Sequence, residues 1–179
     1  SAMKHAAPVR RELGVRTVFN ILGPLTNPAG APNQVLGVFR RELAPLLARV
    51  LQALGSRHVM VVHGRDGLDE ITISGDTDVA ELRDGRVTEY TINPARFGLS
   101  EAPVESIRVE DIEQAKAMLT AVLAGQPGPA RDIVAMNAGA AIYVAGVVDT
   151  LEAGVAAAQR AVPRFHPSDD GALHAAPLL

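Results

Sequence analysis

The chain is 179 residues long, 47% hydrophobic and 21% charged, with a formal net charge of −3 and no cysteine. That composition excludes a disordered chain, disulfides, thiolate metal sites and a cysteine nucleophile. Seventeen basic against twenty acidic residues argue against a nucleic-acid-binding face, and with 3% aromatics and no tryptophan the core has to be aliphatic. No apolar run approaches the ~18 residues of a membrane span. Ser1–His5 also lacks the apolar stretch of a secretory signal, so a soluble cytoplasmic unit is expected.

In chain order, Ser1–Leu13 reads as a helix interrupted early by Pro8, with Arg10 and Arg11 on its last turn and Gly14 as a stop. Arg16–Gly30 holds two prolines, two glycines and two asparagines and is expected to be a long shaped loop with one helical turn at Val18–Leu22. Gln34–Phe39 has the apolar character of a buried strand. Arg41–Leu54 follows as an amphipathic helix, with Leu43, Leu46, Leu47, Val50, Leu51 and Leu54 marking a buried stripe. His58–His63 is a second apolar strand, and strand, helix and strand in this order predict a right-handed βαβ unit with parallel strands.

Thr77–Leu82 and Arg86–Ile92 flank Asp84-Gly85, a two-residue hairpin signal. Glu110–Leu123 is predicted as a helix facing inward through Ile112, Ala115, Leu119 and Val122. Ala130–Ala145 is a helix rich enough in Ala and Gly for close packing, and Leu151–Val162 is the last helix. Pro163–Leu179 has three prolines and no period and reads as an extended tail. The expected class is therefore α/β, a mostly parallel partial sheet flanked by helices, with the domain at 1–162 and the tail at 163–179.

Three places could carry chemistry. Gly64–Glu70 directly follows a strand, at the carboxyl edge where ligands collect in open α/β sheets. Adjacent Asp69 and Glu70 can both reach a hard cation from a loop, and Mg²⁺ often joins one or two carboxylates to phosphates; a solvated acid pair fits the same spacing. Arg10 could clamp a carboxylate bidentately, or belong with Arg11 to a surface pair. Gly23 removes bulk where a ligand ring could approach, while Pro24 and Pro28 stiffen the backbone; a rigid turn without a ligand would look the same. The five histidines lack metal-ligand spacing, and His63 reads as a satisfied residue at a strand end. No nucleophile elbow and no glycine-rich phosphate loop occurs in the chain.

The stretch from Val9 to Pro28, VRRELGVRTVFNILGPLTNP, resembles the signature of the anthranilate phosphoribosyltransferases. Gly67-Leu68-Asp69-Glu70 is similar to their metal-binding acid motif, and Asn137-Ala138-Gly139-Ala140-Ala141 to their late alanine-rich helix. The likeness covers about residues 1–162. It implies the C-terminal portion of a nucleoside phosphorylase/phosphoribosyltransferase-type large domain. It further implies transfer of phosphoribose from phosphoribosyl pyrophosphate to the amine of anthranilate, in tryptophan biosynthesis. Arg10 then stands at the position that contacts the anthranilate carboxylate, Gly23 and Pro24 at positions that line that site, and Asp69 and Glu70 at those of the Mg²⁺ ligands. No residue of this chain is assigned as a catalytic acid or base.

Members of that family are roughly twice as long, so the resemblance implies a C-terminal fragment without the glycine-rich pyrophosphate loop. Such a fragment is expected to be inactive alone and ordered only beside its missing half, with homodimers expected of the full-length enzyme. Two alternatives share the fold: a pyrimidine nucleoside phosphorylase-like transferase, and a non-catalytic homologue that binds nucleic acid. The Val9–Pro28 stretch with Arg10 favours the anthranilate enzyme over the first, and the charge balance speaks against the second.

Overall fold

The computed structural model describes Gly23, Leu25, Thr26 and residues 30–161. The chain divides into two compact units, residues 1–31 and 32–179. The expected opening helix, most of the Pro/Gly loop and the 163–179 tail lie outside the described residues, and with them Arg10 and Pro24. The second unit runs β1 (Asn33–Gly37), α1 (Leu43–Ala53), β2 (His58–Gly64), β3 (Thr77–Arg83), β4 (Arg86–Ile92), α2 (Ile112–Leu123), α3 (Pro129–Val144) and α4 (Leu151–Ala161). Among the described residues no helix is long and apolar enough to cross a membrane.

The four strands lie in the order β1-β2-β3-β4. β1 and β2 pair in parallel, Asn33 opposite His58 and Gly37 opposite Val62, and α1 makes the crossover that the alternation of apolar runs predicts. The remaining two pairings are antiparallel, so the described sheet is mixed rather than mostly parallel. For β3 and β4 the reason is local. Asp84 and Gly85 both take positive φ, 52° and 72°, as a two-residue hairpin turn requires, and so short a connection can only reverse the chain. The α/β class and the flanking helices stand.

Side chains alternate across the sheet. Met60, Val62 and Val79 join Met136, Ala140, Tyr143, Leu151 and Val155 of α3 and α4 in one cluster. Their neighbours Val59, Val61, Ala80 and Leu82, also buried, point to the α1 side. α1 buries Ala44, Leu47, Ala48 and Leu51, whereas Leu46 and Leu54 are 54% and 61% exposed. The predicted leucine stripe is thus rotated: around the helix the buried arc runs Leu47, Leu51, Ala44, Ala48, so two alanines take one side of it and Leu46 and Leu54 fall outside. α2 departs further. Only Val122 of its expected inner face is buried, with Ile112 83% and Leu119 58% exposed, because α2 packs mainly against α3 and not against the sheet. α3 and α4 do pack as closely as their composition predicts. A Cβ on Gly139 would collide with the backbone of Val155, and one on Gly154 with the carbonyl of Gly139.

At the end of the sheet where β2 begins, Glu81 is buried among donors. Its Oε1 lies 2.8 Å from His58 Nε2 and accepts from the Tyr143 hydroxyl at 2.7 Å; its Oε2 accepts from the Tyr90 hydroxyl at 2.8 Å. Arg83 donates in turn to the Tyr143 oxygen at 2.7 Å. Burial first, and then the Glu81 carboxylate, push both phenols above their ordinary pKa, which keeps them as donors.

Candidate functional site

The opposite end of the sheet carries the acid pair. After Gly64 the chain turns tightly: the Gly67 N–H donates to the Gly64 carbonyl at 2.9 Å, and the Gly64 N–H to the Leu68 carbonyl at 2.8 Å. Gly67 has φ 99°, a conformation that favours glycine. Asp66 ties the turn together. Its Oδ1 accepts from the Leu68 N–H at 3.1 Å, and its Oδ2 accepts from the hydroxyls of Thr72 at 2.5 Å and Ser74 at 2.6 Å. Burial opposes ionisation of Asp66, but the bonds from Ser74, Thr72 and Leu68 outweigh it and hold the carboxyl below its ordinary pKa.

Asp69 and Glu70 leave this turn exposed to solvent, while Ile71 immediately after them is buried. The backbone of the pair lies directly against β1: a Cβ on Gly37 would collide with the Asp69 carbonyl oxygen. Beyond the pair, the Ile71 peptide is held from α3, where the Asn137 Oδ1 accepts from the Ile71 N–H at 3.0 Å and the Asn137 Nδ2 donates to the Ile71 carbonyl at 2.9 Å.

No hydrogen bond or ion pair among the described residues engages either carboxylate of the pair. The nearest arginine in sequence is held elsewhere. Arg65 donates to Asp78 through Nε at 3.1 Å and Nη2 at 2.9 Å, and to Asp76 through Nη1 at 2.8 Å. Arg41 joins Asp78 at 3.3 Å. Hydrogen bonding to Asp78 raises the Arg65 pKa, and the same contact lowers that of Asp78. A pocket of about 190 Å³ beside Arg41, Asp78 and Thr91 therefore has walls whose charges are already paired.

Asp69 and Glu70 also border a groove of about 360 Å³ whose other walls include Leu68, Ile107, Met118 and Val134. Among the described residues these two unpaired carboxylates, beside an apolar surface, have no basic partner that would compete with a cation. Among the described residues no group of three or more His, Cys, Asp or Glu could enclose a metal, so an ion held here would draw further ligands from water or a bound substrate.

Of the residues singled out from the sequence, Asp69 and Glu70 come together on one turn at the expected edge. Gly23 is exposed in the first unit, where its carbonyl accepts from the Thr26 N–H at 3.3 Å. Arg10 and Pro24 lie outside the described residues. His63 is satisfied, as expected, by the Val38 carbonyl 2.8 Å from its Nδ1. Sequence reasoning missed Asp66 and Gly37, and cited Asn137 only for its resemblance. The available signals were an Asp two residues past a strand with Thr and Ser six and eight residues on, and a lone amide inside an apolar helix.

Comparison with known proteins fits this geometry. The profile of the glycosyl transferase family, a/b domain, matches residues 1–164. The chain belongs to that family. An anthranilate phosphoribosyltransferase of Thiobacillus denitrificans is 64% identical over 161 residues, which is 90% of this chain and 47% of the relative. The crystal structure of anthranilate phosphoribosyltransferase (TrpD) from Thermus thermophilus superposes with a TM-score of 0.81 at 45% identity, covering 90% of this chain and 48% of that one. The Saccharomyces cerevisiae enzyme in complex with PRPP and Mg superposes with a TM-score of 0.76 at 29% identity, covering 88% and 46%. The chain thus spans about half the length of the relatives it matches.

Proposed function

We propose that the protein carrying this chain transfers phosphoribose from phosphoribosyl pyrophosphate to anthranilate, giving N-(5-phosphoribosyl)anthranilate and pyrophosphate in tryptophan biosynthesis. The observation that carries this reading is the unpaired Asp69–Glu70 turn at the carboxyl end of β2, in a chain 64% identical to a relative of that name. The donor set fits Mg²⁺: two adjacent, exposed hard oxygen ligands with no basic partner among the described residues, and coordination positions left for water and phosphate. Bound there by Asp69 and Glu70, Mg²⁺ supplies positive charge against the leaving diphosphate.

The chain's own residues bind and orient. Arg10 receives the anthranilate carboxylate, for which a guanidinium fork is matched in shape and charge. Gly23 and Pro24 line the ring's site. At Gly23 a Cβ would meet no described atom within 4 Å and φ is not left-handed, so crowding and backbone strain do not by themselves call for glycine there. The amine lone pair forms the bond to the anomeric carbon while the carbon–diphosphate bond breaks with its electrons on pyrophosphate, and the amine proton passes to solvent. Alignment and charge stabilisation suffice for such a step. The same reading carries a cytoplasmic location and a homodimeric whole protein.

The test is consumption of anthranilate by the whole protein with phosphoribosyl pyrophosphate and Mg²⁺. Turnover should fall about 100-fold or more in Asp69→Asn with Glu70→Gln, the scale of losing a preorganised charge stabiliser. Arg10→Ala should weaken anthranilate binding and leave the donor's affinity unchanged. Phosphorolysis of pyrimidine nucleosides with no consumption of anthranilate would overturn the assignment.

A further inference from the structure

The acid pair sits on a segment, residues 65–76, that belongs to no strand or helix, yet its peptide groups around Ile71 are buried and need partners. The sheet serves the next peptide, since the Thr72 N–H donates to the Thr77 Oγ1 of β3 at 3.0 Å, but it supplies a partner to neither the N–H nor the carbonyl of Ile71. Instead one side chain from α3, 66 residues away, takes both: the Asn137 carboxamide accepts from the Ile71 N–H at 3.0 Å and donates to the Ile71 carbonyl at 2.9 Å. The second Nδ2 hydrogen points to the Ile133 carbonyl at 3.0 Å, one turn back on the same helix. Three bonds to three different backbone groups fix the orientation of the carboxamide. The first of them fixes the plane of the Glu70–Ile71 peptide, and with it the direction in which Glu70 leaves the loop.

We infer that Asn137 is a positioning residue for the acid pair, setting the geometry in which Asp69 and Glu70 meet a cation-bound diphosphate. This rests on the metal reading of the pair given above. Asn137 does not itself reach the pair's carboxylates; it acts through the peptide between Glu70 and Ile71. The amide is specifically required. An aspartate at this position keeps the shape but has no donor for the Ile71 and Ile133 carbonyls and places negative charge against both. Leaving those buried groups unmatched lets the loop rotate away from them. Groups that hold metal ligands in place typically alter metal affinity about 10- to 100-fold when removed.

The experiment is calorimetric titration of the whole protein with Mg²⁺ at fixed pyrophosphate, and separately with anthranilate, on the parent, Asn137→Asp, Asn137→Ser and the Asp69→Asn/Glu70→Gln pair. Both Asn137 variants are expected to need about tenfold more Mg²⁺ for half-saturation, with anthranilate affinity within twofold of the parent. A role confined to stability would lower the melting temperature and leave the Mg²⁺ requirement of the folded protein unchanged; that result overturns the inference. If the acid-pair variant itself binds Mg²⁺–pyrophosphate as the parent does, the metal reading fails and the positioning role falls with it. If the acid-pair variant loses affinity while the Asn137 variants keep it, the positioning role alone fails. Amide exchange of the parent keeps the question open to refutation should both Asn137 variants misfold. The Ile71 N–H is expected to exchange at least several-fold more slowly with Mg²⁺ and pyrophosphate present, and no change there overturns the inference.

Discussion

The two ends of the sheet hold carboxylates in opposite conditions. At the end where β2 begins, Glu81 is buried and meets His58, Tyr90 and Tyr143, so both of its oxygens are occupied by the protein itself. At the end where β2 finishes, Asp69 and Glu70 face solvent with no partner among the described residues, although Asp66, three residues before Asp69, accepts three bonds. The same functional group is thus structural at one end and available at the other. What separates them is whether the neighbouring backbone and side chains leave it a lone pair. Availability at the second end is itself built: Arg65 is drawn away by Asp76 and Asp78, while Asp66 and Asn137 hold the peptide on either side of the pair.

This contrast is broken most severely at the buried end. Glu81→Ala removes the acceptor from three donors at once and leaves a half-buried His58 and two tyrosine hydroxyls facing a cavity. Breaking a buried charged cluster by removing one member costs about 3–5 kcal/mol. Urea denaturation should therefore show a loss of that size, while the Mg²⁺ requirement of the folded fraction stays that of the parent. A shift in that requirement would mean that the two ends are coupled and the division drawn here is wrong.

How much of this was legible in the sequence depends on the range of the interaction. The βαβ unit and the hairpin were legible because their signals are local: apolar runs around an amphipathic helix, and Asp84-Gly85 between two strand-like runs. The position of Asp69 and Glu70 at a strand's carboxyl edge followed from the same local pattern. The buried faces of α1 and α2 were less legible. A stripe of leucines shows that a helix is amphipathic, but the arc that meets the sheet is set by tertiary packing, and on α1 that arc takes in Ala44 and Ala48 and leaves out Leu46 and Leu54. The mixed pairing of the sheet was half legible, since the hairpin was read but its weight in the whole sheet was not. The brace on Ile71 was not legible as a contact. Asn137 stands 66 residues from its partner, and nothing in either local pattern marks that a helix amide will take the place of a strand.

A milder perturbation sharpens the contrast within the loop itself. The Asp66 carboxyl has a folded pKa below its ordinary 3.8. A depressed carboxyl pKa adds stability that is present above the unfolded pKa and is lost as pH falls through the lower folded value. Ser74→Ala removes one of the bonds responsible, that from the Ser74 hydroxyl at 2.6 Å, and should cost about 1 kcal/mol at pH 7. The gap between parent and variant should close as pH drops below the ordinary carboxyl value, because protonated Asp66 no longer favours that bond as strongly. Denaturation midpoints at pH 7 and pH 3 check this, and a gap that widens in acid would place the stabilising interaction somewhere other than Asp66.

The smallest expected effect on stability belongs to the acid pair. Asp69→Asn with Glu70→Gln alters two exposed side chains that have no described partner, and surface substitutions away from specific contacts usually stay within about 0.5 kcal/mol. Two adjacent negative charges repel each other, and neutralising both relieves that repulsion. The pair of variants therefore inverts the Glu81 result: little movement in the denaturation midpoint, with the large effect in Mg²⁺–pyrophosphate binding. A loss of stability comparable to that of Glu81→Ala would show that the pair holds the fold together, and the reason for reading it as an open ligand set would be gone.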